Sequence, residues 1–310
     1  MKKRAVSSLL ATLAVVSFIL PAVAVEEPKE NNEEEPPESV VIEDEEAVEP
    51  ESNIFLDGAP QFVEYEFRSG TTYITVDSFV SMIDPLAVVE EEDGVVTVSS
   101  AVVEQIVDDE GNTANVVQET LSMTVSTQVP YILANGRYFY VKDSIVVLND
   151  RVSAPLRTLA KVFNLDVSYD SEANAVLLTH AETSGAYLQS GDSYYNNDTL
   201  YWLSRIIYAE SGNQSLDGKI AVGNVVMNRV SSPLFPDNIY DVLTQKNQFS
   251  PASILSKKTP NSDSILAAKL VMDGAQVVPN ALFFARAGLS CYASRNRVYV
   301  TTIGAHAFYA

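Results

Sequence analysis

The stretch from Leu200 to Val230, LYWLSRIIYAESGNQSLDGKIAVGNVVMNRV, constrains this chain more than any other. Leu203, Ile206 and Ile207 fall at i, i+3 and i+4, one face of a helix. Glu210 is the i+7 member of that series, so a carboxylate ends a stripe where a core residue is expected. Burial disfavours the ionised form and raises a carboxyl pKa, which suits a general acid working near neutral pH. A glutamate rotated out to solvent satisfies the same spacing. Composition favours the first reading. The chain is rich in glutamate, yet Glu210 is the only one after Glu182. Ser211-Gly212-Asn213-Gln214-Ser215 then breaks the helix, and Ser215 or Asp217 can cap the next. There Ala221, Val222, Val225, Val226 and Val230 make the core side. Asn224 and Asn228 share an edge, followed by Arg229.

Upstream, the 310 residues leave room for two domains and a linker. Met1 to Ala24 reads as a secretory signal: Lys2, Lys3 and Arg4, an apolar run, then Ala22-Val23-Ala24 as cleavage site. No other stretch approaches the roughly 20 apolar residues that a membrane span needs. The expectation is a secreted, cell-wall-associated protein of Gram-positive type, with no transmembrane segment once the signal is removed. Residues 25–52 carry thirteen acidic side chains and one lysine among several prolines. Such a segment cannot bury a core and is expected to be a disordered acidic linker. The net charge of −21 argues against nucleic acid as a partner. The lone cysteine, Cys291, allows no internal disulfide.

Residues 53–180 read as short strands. Gln61 to Phe67, Thr71 to Val76, Val95 to Ser99, Leu121 to Thr127 and Arg137 to Val141 alternate or are β-branched and aromatic. Asp57-Gly58, Asp93-Gly94 and Asn135-Gly136 supply turns. An internal repeat appears at an offset of 80: VDSFVSMI at Val76 matches LRTLAKVF at Leu156, and Val95 to Val98 matches Ala175 to Leu178. The second copy resembles the copper amine oxidase N-terminal-like domain, a stalk module of exported proteins. The region's one histidine, His180, and its lack of cysteine offer no cluster of copper ligands. His180 reads as a strand-end residue. The module either binds or positions the wall, or is a passive spacer. Residues 181–195 read as a linker, with Asn197-Asp198-Thr199 capping the Glu210 helix.

Residues 196–310 read as α+β with helices dominating: Ile239 to Leu243 and Ser262 to Asp273 as helices, Ala281 to Phe284 and Arg297 to Ile303 as late strands. Tyr208-Ala209-Glu210 and Asp217 to Val230 resemble the signature of the SleB-type cell-wall hydrolases, the spore cortex-lytic enzymes and their relatives. Gln248-Phe249-Ser250-Pro251, Ala281 to Phe284 and Ile303 to Tyr309 resemble that family's later blocks, in the same order. Two departures stand out: the loop after Glu210 reads Ser-Gly-Asn-Gln, and Phe284-Ala285-Arg286 replaces the usual Phe-Asn-Pro.

The resemblance implies a lysozyme-like, mainly helical catalytic domain with a small late β element, behind a β-rich two-repeat stalk. It implies peptidoglycan glycan strands as substrate and the bond between muramic acid and glucosamine as target. No cofactor or metal is expected. Glycosidases normally use two carboxyl groups, but Asp198, Asp217, Asp237, Asp241, Asp263 and Asp273 each read as a cap, turn or exposed helix residue. One carboxyl suffices for a lytic transglycosylase, so Glu210 is the expected single acid/base. Asn228, Gln248, Phe249 and Ser250 are expected groove residues from their places in the family-like blocks. His306 is a groove or packing residue. Tyr208, Phe308 and Tyr309 are candidates for sugar stacking, though core packing accounts for each ring as well. Two other readings stay open from the residues: a cysteine peptidase or amidase using Cys291 and His306, in which Cys291 would have no helix N-terminus to lower its pKa, and a wall-binding protein without catalysis. Oligomeric state is not legible.

Overall fold

The computed structural model describes residues 53–107, 113–181, 188–246, 248–249 and 252–310. The expected signal, the acidic segment, residues 182–187 of the linker, and Ser250 lie outside the described residues.

The stalk opens with a hairpin of β1 (Ile54–Leu56) and β2 (Ala59–Pro60). The first repeat copy follows: β3 (Tyr65–Arg68), β4 (Thr71–Thr75), α1 (Val76–Ile83), β5 (Val88–Glu92) and β6 (Val95–Val107). Then come β7 (Thr113–Ser126), β8 (Tyr131–Ala134) and β9 (Arg137–Tyr140). The second copy is β10 (Val146–Leu148), β11 (Arg151–Pro155), α2 (Leu156–Val162), β12 (Leu165–Asp170) and β13 (Ala175–His180). Three sheets run β12-β13-β1-β2, β10-β11-β4-β3 and β5-β6-β7-β8-β9. Asp57-Gly58, Asp93-Gly94 and Asn135-Gly136 all have positive φ, the two-residue turn whose twist matches antiparallel strands.

The two copies meet through β4 and β11. Tyr73 pairs with Pro155, Ile74 with Ala154, and Thr75 with Ser153. Ile74 and Ala154 are counterparts under the 80-residue offset, so the pairing is symmetric about them. The sheet β10-β11-β4-β3 is therefore a palindrome of equivalent strands. Phe79 of α1, Leu159 of α2 and Phe139 of β9 fill the core beneath.

The C-terminal part is built on α3 (Gly191–Tyr194), α4 (Asn197–Ser211), α5 (Leu216–Val230), α6 (Ile239–Thr244), α7 (Ala252–Leu255) and α8 (Ser262–Met272). It ends with β14 (Phe283–Arg286), α9 (Tyr292–Asn296), β15 (Tyr299–Ile303) and β16 (His306–Tyr309), whose sheet order is β14-β16-β15. Asn196 caps α4, one residue before the expected Asn-Asp-Thr, by accepting from the Thr199 amide. Ser215 caps α5. The α4, α5 and α8 helices pack around Leu203, Ile206, Ile220 and Leu270. Gly223 lets them approach: a Cβ there would lie 2.9 Å from Val271 and 3.0 Å from Ile207.

Stalk and C-terminal part share an interface. Tyr131, Tyr138 and Tyr140 of the β8–β9 hairpin pack on the α4–α8 core. Asp273, expected as a cap or exposed residue, does cap α8 but is buried there. One of its carboxylate oxygens receives Arg137, the other the Tyr138 amide and the Tyr195 hydroxyl. Local sequence could not place it, because every partner lies far away in the chain.

Candidate active site

Glu210 sits in the last turn of α4. Leu203, Ile206 and Ile207 of its stripe are fully buried, and Glu210 itself is half-buried. Ser211 is buried next to it and donates its hydroxyl to the Ile207 carbonyl (2.7 Å). Gly212 ends the helix in contact with Tyr208, and a Cβ there would lie 3.2 Å from the Tyr208 ring.

The loop after Glu210 is clamped from two sides. Gln214 accepts the Ala305 amide on its Oε1 (2.9 Å), and its backbone carbonyl accepts the Lys219 ammonium. The β15–β16 turn meets Gln214 so closely that a side chain at Gly304, whose φ is +56°, would collide with its Oε1. That contact brings Ala305, and with it His306, to the loop that follows Glu210.

From His306 a chain of rings leads to Phe249. His306 meets Phe284 edge-on at 5.4 Å between centroids, and Phe284 meets Phe249 at 6.3 Å. Burial holds the His306 pKa below its ordinary value, and its Nδ1 is buried without a hydrogen-bond partner. Arg229 lies under this cluster. Its guanidinium is 4.9 Å from the Phe249 and Phe235 rings, and its Nε donates to the Leu282 carbonyl (2.7 Å). Burial pushes the Arg229 pKa down to about 10. Asn228, half-buried, donates to the carbonyls of Val278 (3.3 Å) and Ala281 (3.0 Å). Asn224, fully buried, donates to Ala275 and accepts from Val277. The asparagine edge of α5 thus braces the segment leading into β14. Gln248 is an exposed turn residue beside Phe249.

Of the expected site residues, Phe249 and His306 converge on Phe284, and His306 is tied toward the Glu210 loop. Tyr309 is not in this group. It is buried against Ala293 and Ala307 on the other face of the sheet, facing Tyr299. The reason is strand parity: His306 and Phe308 point one way, Ala307 and Tyr309 the other. Phe308 is fully buried core. Gln214, Phe284 and Arg229 are neighbours of the site that local sequence does not mark as such. An arginine on the apolar side of a helix was the one available signal.

The same parity bears on the cysteine reading. Cys291 packs with Ala307 and Tyr309, whereas His306 packs with Phe284 and Phe308. Thiol and imidazole stand on opposite faces of one sheet and form no dyad. Contrary to the sequence-based expectation, Cys291 does sit at a helix N-terminus, as N-cap of α9. The Ser294 backbone amide lowers its thiol pKa. Five residues of α9, Tyr-Ala-Ser-Arg-Asn, carry no apolar period that would announce a helix.

The candidate second acids are exposed or already bonded. Asp198, Asp217, Asp241 and Asp263 are exposed in the first turns of α4, α5, α6 and α8. Asp217 also accepts the Tyr140 hydroxyl (2.8 Å), and Asp241 accepts from Asn238 (2.8 Å). Asp237 is exposed in the loop before α6, and Asp273 is committed to the stalk interface.

A family model described as Cell Wall Hydrolase matches residues 213–309, starting three residues after Glu210. One described as Copper amine oxidase N-terminal domain matches residues 68–178, a segment without histidine or cysteine. The chain is similar to the spore cortex-lytic enzyme of Bacillus subtilis (strain 168), 29% identical over 56 residues. That alignment covers 18% of each chain. It is 30% identical over 56 residues to the spore cortex-lytic enzyme of Halalkalibacterium halodurans, 18% of this chain and 17% of that one. The chain thus matches less than a fifth of the length of these curated relatives. Among solved structures, the catalytic domain of the germination-specific lytic transglycosylase SleB from Bacillus anthracis aligns at 24% identity and TM-score 0.35, over 37% of this chain and 97% of that one. The catalytic domain of the Bacillus cereus SleB protein aligns at 25% identity and TM-score 0.35, over 37% and 92%. No helix among the described residues is long and apolar enough to cross a membrane. The chain carries a segment that matches the Cell Wall Hydrolase family, residues 213–309, behind one that matches the copper amine oxidase N-terminal domain, residues 68–178.

Proposed function

We propose that the chain is an exported enzyme that cleaves the glycan strand of peptidoglycan between N-acetylmuramic acid and N-acetylglucosamine as a lytic transglycosylase. Glu210 is the single acid/base. Its carboxyl proton goes to the glycosidic oxygen as the bond to C1 of muramic acid breaks. The resulting carboxylate then takes the proton of the sugar's own 6-hydroxyl, whose oxygen closes on C1. Atoms balance without water or a second carboxylate, and the product ends in a 1,6-anhydro ring.

The observation that carries this reading is the placement of Glu210. It is half-buried at the end of a fully buried stripe, in a domain where every aspartate is exposed, capping or locked in an interface. Phe249 and Gln248, with His306 and Asn228, are the groove residues of this reading. Tyr208 flanks the acid at the helix end. The test is mass spectrometry of products from purified peptidoglycan. Anhydromuramic ends are expected; ordinary reducing ends would make water the nucleophile, and free stem peptides on intact glycan would reject glycosidic cleavage.

A further inference from the structure

The stalk holds a cavity of about 800 Å³ that Glu210 does not line. Its walls come from both repeat copies: the β3–β4 hairpin of the first, with Tyr65, Phe67 and Thr71, and the α2–β12 face of the second, with Arg157 and Tyr169. Phe67 is 68% exposed and Tyr169 55% exposed. Large rings left open to water around one concavity mark a binding site. The two tyrosines are also held in place. Asn53 donates to the Tyr65 hydroxyl (3.1 Å), and the Tyr169 hydroxyl donates to Asn174 (2.7 Å).

The pseudo-symmetry supplies an internal control. Under the 80-residue offset, Thr71 corresponds to Arg151, Arg157 to Asp77, and Phe67 to Val147. In strand register, Tyr169 pairs with Val176, as Glu91 pairs with Val96, so Glu91 stands where Tyr169 does. At the equivalent place in the other copy, Arg151 reaches across to Asp77 (2.5 Å) and Glu91 (3.3 Å). One cleft is thus closed by ion pairs, while its twin is open, aromatic and lined by Arg157 and Lys142. The fold does not require the open rings, since the other copy is built without them.

A pyranose ring offers apolar C–H faces and a rim of hydroxyls, which suits fixed aromatic rings edged by amides and charges. Lys142 and Arg157, also in its wall, add hydrogen-bond donors for the hydroxyl and acetamide oxygens of such a ring. Tyr140, another wall residue, donates its hydroxyl to Asp217 at the start of α5, so the cleft abuts the catalytic part. We infer that this cleft is a saccharide-binding site that holds a peptidoglycan glycan strand, making the stalk a wall-anchoring module. The identity of the strand rests on the proposed function.

The test uses the full chain carrying Glu210→Gln, co-sedimented with purified insoluble peptidoglycan. Adding Phe67→Ala and Tyr169→Ala should weaken sedimentation about tenfold, the scale of losing two aromatic contacts. Copying the closed twin into the open cleft, with Thr71→Arg, Arg157→Asp and Tyr169→Glu, should weaken it as much. An N-acetylglucosamine hexamer should displace the parent protein. With Glu210 intact, the Phe67/Tyr169 variant should still cut short soluble glycan at the normal rate. Undiminished sedimentation of both variants would overturn the site. Displacement by stem peptides and not by the hexamer would overturn the saccharide assignment. Cutting by the Glu210→Gln parent would reject the catalytic reading while leaving the binding result to stand or fall alone.

Discussion

Arg137 and Asp273, 136 residues apart in the chain, meet at 2.6 Å with the carboxylate fully buried. Arg137 also stacks on Tyr194 at 3.5 Å. The pair joins the β8–β9 hairpin of the stalk to the end of α8. Removing one member of a buried pair leaves the other uncompensated, at a cost of about 3–5 kcal/mol. Arg137→Ala should therefore lose stability on that scale in urea unfolding, and Arg137→Lys should recover only part, because a single ammonium cannot make both contacts. An unchanged midpoint in Arg137→Ala would mean that the interface contributes nothing.

Residues 181–195 are proposed as a linker, which makes a fragment of 196–310 the natural probe of the boundary. The fragment should melt cooperatively and act on fragmented glycan. It should melt below the full chain, because Tyr131, Tyr138 and Tyr140 no longer cover the α4–α8 core. A fragment without a cooperative transition would move the boundary into the stalk.

Glu210→Gln keeps the shape of the side chain and removes its titrating proton. General acid–base catalysis is worth about 10² to 10⁴-fold, so turnover should fall by at least that much in a protein with an unchanged circular dichroism spectrum. Near-normal turnover in a folded variant would exclude Glu210 from the mechanism.

Cys291 and His306 face opposite sides of the β14–β16–β15 sheet. Cys291→Ser should accordingly keep turnover within a few fold of the parent, despite the lowered thiol pKa. Collapse of activity in folded Cys291→Ser would restore the thiol reading.

Burial depresses the His306 pKa in the folded state. Above the unfolded value, near 6.5, the imidazole is neutral in both states and its full stability is present. As pH falls through that value the unfolded chain takes up a proton first, and stability drains away down to the folded pKa. His306→Phe does not titrate, so its melting temperature should fall less steeply than the parent's on going from about pH 7 to 5. Parallel curves would show that His306 is not linked to folding.

Much of this protein is set by short-range order. Periods of 3.6 and 2, the Asp-Gly and Asn-Gly turns and the 80-residue echo are local signals. They sufficed for the α4–α5 pair, the strands of the stalk, its two-copy design and the exceptional position of Glu210. The tertiary structure decided what depends on partners distant in the chain. It put Asp273 into the stalk interface, clamped Gln214 onto Ala305, and set Phe284 between Phe249 and His306. It also fixed strand parity, which sends Tyr309 and Cys291 to one face and His306 to the other. A one-residue shift in register would exchange those faces, and only the paired strands fix that register. The repeat itself shows the same division. Both copies are written in the sequence, but that Arg151 closes one cleft and leaves its twin open follows from which side chains the pseudo-symmetric pairing brings within reach.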